Sequence, residues 1–521
     1  MNRREFLETL SATALAAGGV TTNAAPAGTG AEFDPTEKSL TQLSDAQAKG
    51  AVSAETLTHS YLRRIERYDR QGPKLGAVLA GNPDALNAAR ALDVERRAGK
   101  LRGPLHGMPL LIKDNIETRD PLPTTAGSLA LANARHAQDA PMVARLRAAG
   151  AIVLGKANLS EWANFRSIRS VSGWSGVGGQ TRCPYDPSRN PSGSSAGPAA
   201  GAAASFCAAA IGTETDGSIL APASLNALVG LKPTVGLVSS AGIVPIAARQ
   251  DTAGPMTRTV ADAAALLAVM AQPTVHWDGI GSLEATPKGL RLGVLPPPAS
   301  THPEVLSQSK EWFKLLEREG FTLVEVPAPA GWQTLLDEEL EVLLYDFKAE
   351  LNAYLARFQG ALPVRTLAEL ISFNDQHAAT EMPFFGQELF VQSEACGPRT
   401  SPAYRKALQH IIDVADTRGL RALFAKHRVD ALVASGNGPA ELIDHVWGDR
   451  YENSGGWPPM CSAAAVAGWP SLTVPAGFVM GLPVGIHFVA PRFREGRLLQ
   501  IGRTFERARN ARQPPNLGAR V

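Results

Sequence analysis

"PAAGAAASFCAAAIGTETDGSILAPA", Pro198–Ala223, is the stretch from which the fold is read. Its first half, through Ala210, is mostly alanine and predicts a helix of small residues that can lie close to a neighbouring backbone. The character then changes. Gly212 and Gly217 bracket the polar run Thr213–Asp216, Ser218 follows, and the chain is apolar again at Ile219. The glycines let the backbone turn tightly just before Ser218. Successive N–H groups on such a turn can converge on one point, as in an oxyanion hole, where one donor is worth about 3 kcal/mol of barrier. Taken alone, however, "DGS" also reads as a serine in an ordinary glycine turn.

Two further stretches bear on that choice. Upstream lies "NPSGSSAG", Asn190–Gly197, with Ser192, Ser194 and Ser195 set among Gly193 and Gly197. Further upstream, "GPLHGMPLLIKDNI", Gly103–Ile116, places Lys113 at the end of an apolar strand. A lysine there is costly unless it finds partners or sheds its proton, and a neutral lysine is a base. Read singly, it is also a strand-end lysine reaching water. His106 sits at the far end of the same strand, too far along an extended chain to serve the same serine, and reads as structural.

Around these stretches strands and helices alternate. "MPLLIKD" and "AIVLGKAN" predict strands, with the helix "PMVARLRAAG" between them. "LRLGVLP", "FTLVEVP", "VDALVAS", "SLTVPAG" and "LPVGIHFVA" predict more strands; "PEVLSQSKEWFKLLEREG" and "REGRLLQIGRTFERARN" predict helices. Near the start, Ser53–Tyr68 reads as an amphipathic helix capped by Ser53, and Asn82–Gly99 as a second, capped by Asn82. The expected fold is α/β: one large domain with a mixed, mostly parallel central sheet covered by helices on both faces. A mostly helical region, about 331–427, is expected to form a cap over a cleft.

Bulk properties agree. The 521 residues are 44% hydrophobic and 19% charged, and Lys+Arg 51 against Asp+Glu 49 leaves a net charge of +2. Nothing in that balance calls for nucleic acid or an anionic membrane as partner. The four cysteines, Cys183, Cys207, Cys396 and Cys461, fit no metal-binding spacing and read as free thiols. The start, "MNRREFLETLSATALAAGGVTTNAAPA", pairs Arg3 with Arg4 ahead of a modest apolar run, with a small-residue site at Ala25-Pro26-Ala27. It predicts a twin-arginine signal peptide over residues 1–27, hence the Tat export machinery as partner and a periplasmic or secreted mature protein, residues 28–521. No stretch reaches the ~18 apolar residues needed to span a bilayer.

Together, "GPLHGMPLLIKDNI", "GSSAG" and "GTETDGSI" resemble the amidase signature family in order, spacing and context. The resemblance runs from about Thr36 to Arg512 and includes "GAIVLGKANLSEWANF", "LVGLKPTVGLVS" and "DTAGPMTRTVADAA". Its signature core is about 100–270. Glu214 and Asp216, "SEWANF" and "FGQELF" point within the family to its bacterial peptide amidases, which remove the C-terminal amide from peptides. The resemblance implies Ser218 as nucleophile, Ser194 as a bridging serine held by a cis peptide bond, and Lys113 as base. It implies an oxyanion hole from the backbone N–H groups of Thr215, Asp216, Gly217 and Ser218. It implies no metal and no organic cofactor, and hydrolysis of a carboxamide to an acid and ammonia through an acyl-enzyme.

The sequence departs from the family at Ala196 and Pro198, after the serine pair, and at Cys183 and Leu220; the last two bear on substrate preference. Rival readings are a nucleophile elbow at Ser195, since "GSSAG" satisfies G-x-S-x-G; the glutamine-hydrolysing component of a tRNA-dependent amidotransferase; and an exported binding protein without catalysis. Trp162, Trp174 and "FFGQELF" read as packing. Oligomeric state is not legible.

Overall fold

Eleven strands make one sheet: β1 (Val78–Gly81), β2 (Met108–Lys113), β3 (Ala151–Ala157), β4 (Ala209–Glu214), β5 (Val229–Lys232), β6 (Thr252–Thr257), β7 (Arg291–Val294), β8 (Thr322–Glu325), β9 (Ala431–Ser435), β10 (Ser471–Val479) and β11 (Leu482–Val489). Their order across the sheet is β1-β3-β2-β4-β6-β5-β10-β11-β9-β7-β8. The structure, a computed structural model, describes residues 33–518 apart from 282, 285–286, 359–360, 437 and 450–456. The expected signal peptide, residues 1–27, lies outside the described residues.

The expected mixed sheet covered by helices is present. Parallel pairing is confined to two blocks, β3-β2-β4 and β9-β7-β8. The ladders between and beside them are antiparallel, so the expectation of mostly parallel pairing is met only in those blocks. The reason is local. β10 and β11 are joined through Met480 and Gly481, both at positive φ, a tight hairpin that enforces antiparallel pairing. β2, β3 and β4 are buried along their whole length, which is why they read as unbroken apolar runs.

The small-residue helix is shorter than expected. It ends at Ala203 (α1, Ala196–Ala203), the chain reverses at Ser205 with φ 54°, and Ala209 already belongs to β4. Alanine favours helix, but pairing with β2 and β6 wins at Ala209 and Ala210. α1 is buried at every position and packs on β2 and β4. Ser53 caps its helix by accepting from Thr56 N at 3.0 Å. Asn82 does not cap the next one, which begins at Ala85; its amide instead donates to Asp120 and Val153.

After α2 (Leu220–Leu225), the region about 331–427, expected as a cap, is mostly helical and is led by α3 (Leu335–Ala356). Phe347 of α3 stacks on Phe390 of "FGQELF", which confirms packing for that motif. All four cysteines are free. No helix among the described residues is long and apolar enough to cross a membrane.

Candidate active site

Three distant segments meet at the ends of β2 and β4. Lys113, the last residue of β2, is fully buried. Its Nζ lies 2.8 Å from Ser194 Oγ, 2.9 Å from Ser195 Oγ, 2.9 Å from Thr213 Oγ1 and 3.2 Å from Thr213 O. Every one of these partners is uncharged. Burial therefore drives the Lys113 pKa well below the usual lysine range, and the more distant Glu214 and Asp251 oppose this only in part. The neighbouring Asp114 offers no help. Successive strand residues face opposite ways, and its carboxyl pairs with Lys156 at 3.3 Å and accepts from Thr125 N at 3.0 Å. Of these two buried lysines, Lys156 has a carboxylate and Lys113 does not.

Ser194 follows a cis Gly193–Ser194 peptide, as the resemblance implied. A Cβ on Gly193 would crowd Ser160 Oγ and come within 2.7 Å of Ser172 Oγ, so a larger residue would force those side chains to shift. Ser194 O accepts from Ser160 N at 3.1 Å. Ser195 N donates to Ser218 O at 3.2 Å, which ties the serine loop to the second turn. Pro198 is the third residue of α1, among the first-turn positions whose N–H has no partner inside the helix, so proline costs nothing there.

The turn itself runs from the end of β4 into α2 (Leu220–Leu225). Gly217 has φ 76°, a conformation side chains avoid, and the Trp457 ring lies over it. Glu214 Oε2 accepts from Ile219 N at 2.7 Å and Leu220 N at 3.0 Å, so the helix start is capped from within. The backbone N–H groups of Thr215, Asp216, Gly217 and Ser218 meet no acceptor among the described residues. The Ser218 hydroxyl also makes no hydrogen bond there. The structure thus joins Lys113 to Ser194, and Ser195 to Ser218 by backbone, and leaves the Ser194–Ser218 hydroxyl contact open.

Three residues beyond the expected set shape the site. Thr213 bonds Lys113 twice, and its Oγ1 also accepts from Asn115 Nδ2 at 3.0 Å. Asp251 accepts from Thr215 Oγ1 at 2.6 Å and from Ile246 N and Ala247 N, which pins the turn; burial pushes its pKa up to about 7. A small pocket opens here, lined by the polar Asn115, Ser194, Thr213, Thr215 and Asp251 together with apolar residues that include Val244 and Ile246.

Ser195 is not placed as an elbow nucleophile. No strand leads directly into it, its side chain is buried, and its hydroxyl is spent on Lys113 and on Thr213 O at 3.0 Å. His106 is fixed at the far end of β2 by Arg102 N and Leu92 O. Trp162 and Trp174 are buried against Phe390 and against Phe384 and Phe385. Cys183 and Leu220 are fully buried in separate apolar clusters.

Residues 56–499 match the amidase family. A probable amidase of Arabidopsis thaliana is 38% identical over 93% of this chain and 92% of its own. The chain belongs to the amidase family, and it is an amide-hydrolysing enzyme of the amidase-signature serine amidohydrolase kind. Among solved structures, the peptide amidase of Stenotrophomonas maltophilia is 45% identical, with a TM-score of 0.87 over 93% of this chain and 99% of that one. A glutamyl-tRNA(Gln) amidotransferase chain of Myxococcus xanthus is 36% identical over 91% of this chain and 97% of its own.

Proposed function

We propose that the protein hydrolyses the C-terminal carboxamide of peptides or amino-acid amides through Lys113, Ser194 and Ser218. The observation that carries this is the 2.8 Å approach of a fully buried Lys113 Nζ, without a carboxylate, to Ser194 Oγ. A serine hydroxyl is a weak nucleophile and needs a base. Neutral Lys113 takes the Ser194 proton while Ser194 takes the Ser218 proton, and Ser218 Oγ attacks the amide carbon. The developing oxyanion meets the open N–H groups of Thr215, Asp216, Gly217 and Ser218. The proton then returns along the same path to the leaving nitrogen. The C–N bond breaks, ammonia departs, and an acyl ester remains on Ser218. Water, activated by the same relay, releases the acid. The likeness to the Stenotrophomonas maltophilia peptide amidase supports peptide amides as the substrate class.

Ammonia release over a panel of peptide amides, free amino-acid amides, fatty-acid amides and glutamine tests the reading. Fastest turnover is expected on peptide amides. Turnover of glutamine with none on peptide amides would overturn it in favour of an amidotransferase-type activity. We also propose export through Arg3 and Arg4: replacing both by lysine should hold the protein in the cytoplasm, and unchanged fractionation would refute this.

A further inference from the structure

The side chain of Asp216 has no part in the chemistry just described, although its N–H belongs to the turn. Both its carboxyl oxygens are buried. They lie beside Ser462, Glu339 and Trp457, yet with Glu339 as a carboxylate no hydrogen bond to either oxygen is complete. Glu339 projects from the first turns of α3 in the cap and is only 2% exposed. Its Oε1 is held closely by Gln250 Nε2, and Gln250 is also turned towards Thr215 O at 3.4 Å. The Trp457 ring covers Gly217 while its Nε1 donates to Ser462 Oγ at 3.0 Å. That bond leaves the Ser462 proton free for Asp216.

The surrounding charges do not neutralise two carboxylates. Lys232, Glu214 and Cys461 face Asp216, and Arg249 faces Glu339. Lys232 is shared among Glu214, Glu495 and Asp216, and Arg249 is engaged by Asp346 at 3.1 Å. Two touching carboxyls in such surroundings do not both ionise. One proton held between them makes a short, charge-assisted O–H···O⁻ bond.

We propose that Glu339 is a positioning residue: its carboxylic acid donates a hydrogen bond to the Asp216 carboxylate and fastens the turn Thr215–Ser218 to the cap helix α3. The role in turnover rests on the reading of that turn given above. Burial, reinforced by Asp216, drives the Glu339 pKa well above the usual carboxyl range, which favours the carboxylic-acid form the geometry calls for.

The test compares wild type, Glu339→Ala and Glu339→Gln on a dipeptide amide. A displaced oxyanion turn lowers kcat more than it alters KM. Glu339→Ala should lose about 10- to 100-fold in kcat, with KM within about threefold. Gln keeps a neutral donor, so Glu339→Gln should return kcat to within about threefold of wild type at neutral pH. It should also remove the alkaline loss of kcat that follows departure of the shared proton. Wild-type kcat in Glu339→Ala, or a Gln variant as slow as Ala, would overturn the proposal. A second measurement needs no turnover. A carboxyl whose folded pKa is raised stabilises fully below its unfolded pKa, and that contribution is lost as pH rises towards the folded value. The melting temperature of Glu339→Gln minus that of wild type should therefore grow as pH rises above the ordinary carboxyl value of 4.5 towards the folded one. A constant difference would refute the shared proton. Wild-type inertness on every amide would instead count against the proposed function and leave the melting comparison to decide this inference.

Discussion

Lys113→Met separates the base from the space it fills. Methionine matches the lysine stem in length and apolar character, so the cavity stays filled. Ser194, Ser195 and Thr213 lose one partner, a pH-independent cost of about 1–3 kcal/mol. Against this stands a pH-dependent gain. A group whose folded pKa is depressed contributes fully above its unfolded pKa, here 10.5, and its contribution is lost as pH falls towards the folded value. Wild type therefore loses about 1.4 kcal/mol for each pH unit below 10.5 until the folded pKa is reached, and Lys113→Met does not. In a chain of this length 1 kcal/mol corresponds to about 1 °C in melting temperature. The variant should gain on wild type by about 1–1.5 °C per pH unit as buffers are stepped down from pH about 10. Over the same range its turnover of a peptide amide should be lower by about 10²- to 10⁴-fold. Differential scanning fluorimetry and an ammonia assay give both numbers. A melting difference that does not change with pH, or turnover within about tenfold of wild type, would refute a neutral Lys113.

Ser218→Ala should abolish acylation while leaving the melting temperature within about 1 °C, because the hydroxyl has no partner among the described residues to lose; fluorophosphonate labelling read by intact mass checks this. Ser195→Ala should keep that labelling but lower turnover by about tenfold, since Ser195 orders Lys113 and Thr213 rather than reacting; unlabelled Ser195→Ala would restore the elbow reading. Gly193→Ala should lower turnover, as its Cβ would crowd Ser160 Oγ and Ser172 Oγ and push the serine loop aside; wild-type turnover would show that the serine loop is not built as described.

Much of this was legible because strands and motifs carry local signals. Lys113, Ser194 and Ser218 each stand in a run whose composition is odd, and the bulk alternation announced the α/β sheet. What was missed depended on long-range pairing. Thr213 lies within the run that also carries Ser218, yet only the parallel register of β2 with β4 brings it to Lys113. Asp251 reaches Thr215 across 36 residues of sequence, with no local pattern to mark it. β6 contains Pro255 opposite Ile211, and proline inside a central strand argues against a strand when only sequence is read. The alanine run before β4 carries no periodicity, so the helix end at Ala203 was hidden. Glu339 lies on an ordinary amphipathic helix, where a buried carboxyl looks like any exposed one.

The dependence of kcat/KM on pH for a peptide amide tests the neutral lysine most directly. A single acid limb is expected at the folded Lys113 pKa, well below 10.5, and it disappears in the residual activity of Lys113→Met. A limb at the ordinary lysine value, or the same limb in Lys113→Met, would contradict it.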